Sequence, residues 1–302
     1  MLILFRWLSR LPLWLLHVLG GVLGWISYLG SGRYRRRFDA NAAQAGVPPR
    51  LARRAVAQSG RLVMELPYLW MRPAQASLAG KLRWDGDDLI TQAHAQGKGI
   101  VFLTPHMGSF EVTAQGYAER FAAQHGPITV LYRPARKAWL RELVDTSRAR
   151  PGLATAPATL AGVRQMIRAL RRGEAVGLLP DQVPPGDMGV WAPFFGRPAY
   201  TMTLAARLAQ QTGAVLLLAW GERLPRGRGW VVHVAPFTQP LPDASSDAAA
   251  QAESAAAVNR AMEDIIRRSP QQYLWGYDRY KTPRAELALD GAASATDHKK
   301  KD

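Results

Sequence analysis

From residue 99 onward the chain repeats one pattern: a short, wholly apolar run, then an amphipathic stretch. Gly99 to Thr104 reads GIVFLT and closes on Pro105. Ile128 to Tyr132 closes on Arg133-Pro134, and Ala175 to Leu179 ends at Pro180-Asp181-Gln182. Ala214 to Trp220 and Trp230 to Ala235 complete the set. Runs this short and this continuously apolar are strands buried on both faces. Helical patterns lie between and around them. Residues 50–72 carry Leu51, Ala55, Leu62, Val63 and Leu66 on one face, and a helix is expected at about 135–149. Thr159 caps a helix with Leu160, Val163, Ile167 and Leu170 on its apolar face, stopped by Gly173. Thr201 or Thr203 opens another that runs to Gln211, with Gly213 behind it, and residues 248–268 form an Ala-rich helix. This alternation predicts an α/β fold with a central, mostly parallel or mixed sheet flanked by helices. On such sheets ligands gather beyond the carboxyl ends of the strands.

Composition narrows the class. The 302 residues suffice for a single large domain, and 48% hydrophobic with 21% charged residues exclude a wholly disordered chain. The absence of cysteine excludes disulfides, thiolate metal sites and a Cys nucleophile. The 39 Lys and Arg against 23 Asp and Glu give a net charge of +16, so an anionic partner is expected. No helix-turn-helix, finger or RNP pattern supports nucleic acid as that partner. The histidines show no metal-ligand spacing, and no phosphate-binding G-x-x-x-x-G-K-[ST] loop or G-x-S-x-G elbow occurs.

Residues 11–30 contain no Asp, Glu, Lys or Arg. At about 1.5 Å per residue such a segment spans the roughly 30 Å hydrocarbon core, so a single membrane anchor is the expectation. An interfacial or buried helix is the competing reading, because Gly20, Gly21 and Gly24 weaken a span. Arg6 and Arg10 precede the segment; Arg33, Arg35, Arg36 and Arg37 follow it. That asymmetry puts the C-terminal body in the cytoplasm and the four-Arg cluster against anionic headgroups. The expected organisation is an anchor with its basic flank over 1–37, a catalytic domain over 38–284, and a disordered tail over 285–302.

The first strand runs into Pro105-His106-Met107-Gly108-Ser109-Phe110-Glu111. His106 leaves a buried strand at the edge where ligands bind, and Gly108 permits a tight turn. Ser109 is placed to cap the next helix, which puts Glu111 in its first turn and back beside His106. A carboxylate on one imidazole nitrogen fixes the tautomer and leaves the other as a general base.

Four blocks resemble the bacterial lipid A late acyltransferases, the lauroyl and myristoyl transferases of the inner membrane. They are T-P-H-M-G-S-F-E at 104–111, which matches the family's H-x4-D/E motif, and Y-R-P at 132–134. The others are D-Q at 181–182 followed by P-F-F-G-R-P-A-Y-T at 193–201, and P-Q-Q-Y-L-W-G-Y-D-R-Y-K at 270–281. The resemblance implies O-acyl transfer from an acyl-carrier-protein thioester to a hydroxyl of a phosphorylated glycolipid on an anionic membrane, without cofactor or metal. Mapped here, His106 takes the hydroxyl proton and Glu111 orients and charge-stabilises it. The related alternatives are another lipid acceptor (a lysophospholipid, an ornithine lipid or a glycosylated phosphoinositide) or an inactive membrane scaffold.

The remaining blocks supply substrate-binding candidates. Arg133 suits a phosphate or the thioester oxygen. Asp181 is placed to pair with Arg133 or hold a sugar hydroxyl, and Gln182 serves as a neutral donor and acceptor. Phe194 and Phe195 are candidates to wall the site or an acyl groove, and Arg197 to reach a phosphate. Trp275, Tyr277, Arg279, Tyr280 and Lys281 mix aromatic bodies with cationic heads, which suits a membrane interface or a phosphosugar.

Overall fold

The computed structural model describes residues 2–73, 75–132, 150–186, 188–243 and 247–283. Four N-terminal helices come first: α1 (Leu2–Ser9), α2 (Leu13–Gly30), α3 (Gly32–Gln44) and α4 (Pro49–Trp70). The sheet strands are β1 (Leu82–Asp85), β2 (Ile100–Leu103), β3 (Ile128–Tyr132), β4 (Leu153–Pro157), β5 (Ala175–Leu178), β8 (Val215–Arg223) and β9 (Trp230–Pro236). A separate antiparallel hairpin is formed by β6 (Gly189–Phe194) and β7 (Arg197–Met202). The intervening helices are α5 (Asp88–Ala95), α6 (Glu111–Arg120), α7 (Ala122–His125), α8 (Leu160–Arg171), α9 (Leu204–Thr212) and α10 (Ala248–Arg268).

The seven strands lie in the order β1-β9-β8-β2-β5-β3-β4, and the pairs are parallel except for β8 with β9. The sheet is therefore mixed, and the expected α/β architecture holds. All five expected strands are present. β1, β4 and the β6–β7 hairpin are additional. Arg83 and Asp85 in β1, Pro157 in β4, and Pro193, Arg197 and Pro198 in the hairpin interrupt their apolar character, so periodicity alone passes over them. The helix expected at about 135–149 lies outside the described residues, as does the tail at 285–302.

Alternation along β2 divides the core. Val101 and Leu103 pack with Phe38, Met166, Leu208 and Ile265 on one face. Ile100 and Phe102 pack with Ile90, Tyr117 and Trp230 on the other. Thr159 caps α8 as expected, its hydroxyl accepting from the Gly162 N–H. Phe194 and Phe195 belong to the first core. Their rings meet at 4.8 Å, and Phe194 also lines a small hollow with Asn41, Tyr273 and Arg279. Phe195 and Gly196 both have positive φ, 46° and 74°, the two-residue turn that a twisted hairpin prefers.

α2 is the helix, among the described residues, long and apolar enough to cross a membrane. It packs antiparallel along α4 through Gly20 and Gly24, which meet Gly60. A Cβ on any of the three would run into main-chain atoms of the opposite helix. The glycines that weaken a free span are thus what lets the two backbones approach.

Candidate active site

Three neighbouring strands converge on the site. β2 sits between β5 and β8, with Leu103 opposite Leu178 on one side and Leu218 on the other. Three residues beyond each of these positions lie His106, Asp181 and Gly221. The register therefore brings all three to one place at the carboxyl edge. Asp181 holds His106 twice: Oδ1 accepts from ring Nδ1 at 2.7 Å, and Oδ2 accepts from the backbone N–H at 2.9 Å. Gly108 turns with φ 59°; its N–H donates to the Gln272 carbonyl, and the Ser109 N–H donates to the Gly221 carbonyl at 2.8 Å. The Leu274 N–H donates to the His106 carbonyl. The turn is thus clamped from β8 and from residues 272–274.

Asp181 is buried, and burial by itself would raise its carboxyl. The charge of His106, its two hydrogen bonds and the charge of Arg279 outweigh that, and the pKa lies below the ordinary value. The Tyr273 phenol is pushed well above its usual range, first by burial and then by the Asp181 charge.

The carboxylate on Nδ1 is therefore Asp181 and not Glu111. Glu111 does open α6 as expected, but Phe110 occupies the cap position. The Ser109 hydroxyl makes no cap bond and is buried without a partner, while its N–H donates to the Gly221 carbonyl. Glu111 lines an apolar cavity between α6 and the sheet. The cavity is walled by Thr104, Phe110 and Leu179 at the His106 edge and by Phe102, Tyr117 and Ile128 deeper along the strands. The Phe110 ring packs edge-on against the imidazole at 5.0 Å, so the cavity and the His–Asp pair share a wall. Gly177 is part of the cavity lining. It lies between Phe102 and Val130 across neighbouring strands and contributes no side chain.

The other expected site residues separate into three groups. Arg133 lies outside the described residues. Gln182 is half-buried beside Asp181, and Arg197 is exposed on the hairpin, its guanidinium 4.5 Å from the Tyr280 ring centroid. Arg279 is not available to a phosphate. It is 3% exposed, donates to the Tyr200 carbonyl and the Thr201 hydroxyl, and lies over Phe194. Trp275 is likewise core. Lys281, by contrast, is exposed, with its ammonium 4.9 Å from the Tyr277 ring centroid.

Sequence reasoning missed a buried hub behind the turn. Arg223 Nη2 donates to the Gly108 carbonyl at 2.7 Å, and its Nε and Nη2 clasp Glu65. Glu65 also accepts from Trp230 Nε1 and pairs with His17 of α2 at 2.6 Å. Among the described residues no group of His and carboxylates could hold a metal ion.

Fold and site together define a mixed-sheet α/β domain whose His–Asp pair stands beside an apolar cavity. Residues 38–282 match the family model for bacterial lipid A biosynthesis acyltransferases, and the chain belongs to that family. The lipid A biosynthesis lauroyltransferase of Escherichia coli K12 is 29% identical over 229 residues, covering 74% of this chain and 69% of that protein. The palmitoleoyltransferase of the same strain is 29% identical over 207 residues, covering 68% and 63%. A lipid A biosynthesis acyltransferase of Haemophilus influenzae is 27% identical, covering 63% and 56%.

Proposed function

We propose that this acyltransferase moves a fatty acyl chain from an acyl-carrier-protein thioester to a hydroxyl of a lipid A precursor at the cytoplasmic face of the inner membrane. The observation that carries the reading is the His106–Asp181 pair beside the apolar cavity. The acyl chain lies in the cavity with its thioester at the His106 edge. Asp181 keeps the proton on Nδ1, so Nε2 accepts the proton of the acceptor hydroxyl as its oxygen attacks the thioester carbonyl. Collapse of the tetrahedral intermediate breaks the C–S bond, and the imidazolium returns its proton to the departing thiolate. Asp181 thereby takes the orienting role first assigned to Glu111. Glu111 stands in the first turn of α6 and lines the cavity wall. The outward apolar faces of α1 and α2, among them Trp7, Trp14, Val18 and Ile26, support membrane association. The net positive charge supports an acidic carrier protein as donor.

Mass spectrometry of lipid A from cells with and without the protein tests this. A species lacking one acyl chain in the deletion strain is expected; unchanged lipid A with another lipid altered would overturn the acceptor. Chain length supplies a second test. Gly177→Leu fills the cavity between Phe102 and Val130, so products shift to shorter chains. Activity towards the longest accepted donor falls about ten- to hundredfold, since displacing one or two methylenes is worth roughly 1–3 kcal/mol. A donor-chain series assayed in vitro reads this directly, and an unchanged length profile would remove the acyl chain from the cavity.

A further inference from the structure

We propose that α2 lies along one leaflet of the bilayer and does not cross it; this rests on the membrane-bound reading above. The domain touches α2 from end to end. At its start, the turn at Pro225–Gly227 packs against the Trp14 backbone and presents Arg226 and Arg228 to solvent. At mid-helix, Arg61 Nε donates to the His17 carbonyl at 3.2 Å and the His17 ring pairs with Glu65. Near its end, the Tyr28 hydroxyl donates to Asp39 at 2.8 Å, and the antiparallel partner α4 exposes Arg53 and Arg54.

A spanning α2 would carry these groups through the hydrocarbon, with Arg226 and Arg228 at one surface and Arg53 and Arg54 towards the other. Laid flat, the same helix loses nothing. Its outward row of Trp14, Val18, Val22, Trp25, Ile26 and Leu29 is exposed and apolar, and meets acyl chains. Exposed cations stand at both ends, Arg6 and Arg10 before the row and Arg33, Arg35 and Arg36 after it. Both sets then reach headgroups of the same anionic leaflet. The expectation of a spanning anchor counted length and charge; it lacked the partner that α2 has along its inner face.

The chain has no cysteine, so single-cysteine variants of the full protein report cleanly. Ser9→Cys lies before α2 and Gly30→Cys at its last residue, with open space around it. With a membrane-impermeant maleimide, both are expected to label in inside-out vesicles and neither in spheroplasts. Nitroxides on Val18→Cys, Val22→Cys and Ile26→Cys are expected at one shared depth. Labelling of positions 9 and 30 from opposite sides, or a spin label at 22 much deeper than at 18 and 26, would overturn the orientation while leaving acyl transfer intact. Absence of the protein from the membrane fraction would overturn both.

Discussion

Asp181→Asn is expected to lower kcat about 10²- to 10⁴-fold, nearly as far as His106→Ala, with little change in KM. The reason is the double grip on His106. Oδ1 accepts from Nδ1 and Oδ2 accepts from the backbone N–H, so both oxygens face donors. An amide offers one acceptor and one donor. If its oxygen stays on the backbone N–H, its NH₂ faces Nδ1, and the ring must carry its proton on Nε2. That tautomer cannot accept the hydroxyl proton. If the amide is turned over, its NH₂ confronts the backbone N–H and the His106 turn shifts. Either outcome disables the base without removing it. Steady-state assays with a carrier-protein thioester would measure both parameters. A variant within tenfold of the parent would mean that another group takes the proton.

Much of this site stood in the sequence in a form that was only half read. Leu103-Thr104-Pro105-His106 and Leu178-Leu179-Pro180-Asp181 are parallel phrases: a strand end, one residue, a proline, then the functional side chain. In adjacent parallel strands of equal register, equal offsets put the two side chains together. The local reading chose Glu111 because H-x4-E lies within one stretch of chain, whereas strand adjacency is not visible in one dimension. The five short apolar runs were legible because a continuous apolar stretch of that length marks a buried strand. The Arg279 block misled for the opposite reason. Cationic heads on aromatic bodies look alike whether they meet lipid or a neighbouring helix. α3 ties down the block's backbone, where Asn41 Nδ2 donates to the Trp275 and Tyr277 carbonyls and Arg37 donates to that of Gly276, and the Arg279 head is buried against Tyr200 and Thr201 of β7. Of the charges that first pointed to an anionic partner, some are therefore spent inside the fold.

Arg223 is the largest such case, and Arg223→Ala is expected to destabilise the protein by about 3–5 kcal/mol, the range for breaking a buried ion pair. Glu65 would be left buried without its main counter-charge, and the Gly108 carbonyl would lose its donor. The acid dependence gives a second reading of the same hub. Burial alone would raise the Glu65 carboxyl; the Arg223 charge, the His17 and Arg223 hydrogen bonds and the His17 charge outweigh it and bring the pKa down from 4.5 to about 2. A group depressed on folding contributes stability above its unfolded pKa and loses it as pH falls through the folded one. The parent should therefore lose on the order of 3 kcal/mol between about pH 5 and pH 2 through this group. Glu65→Leu/Arg223→Met removes both charges together and should cost less than Arg223→Ala, with a shallower acid limb. Urea midpoints measured across that pH range separate the variants. Equal losses in the single and double variants would show that the pair contributes packing alone, and that the turn beneath His106 is held by Gln272 and Gly221 without it.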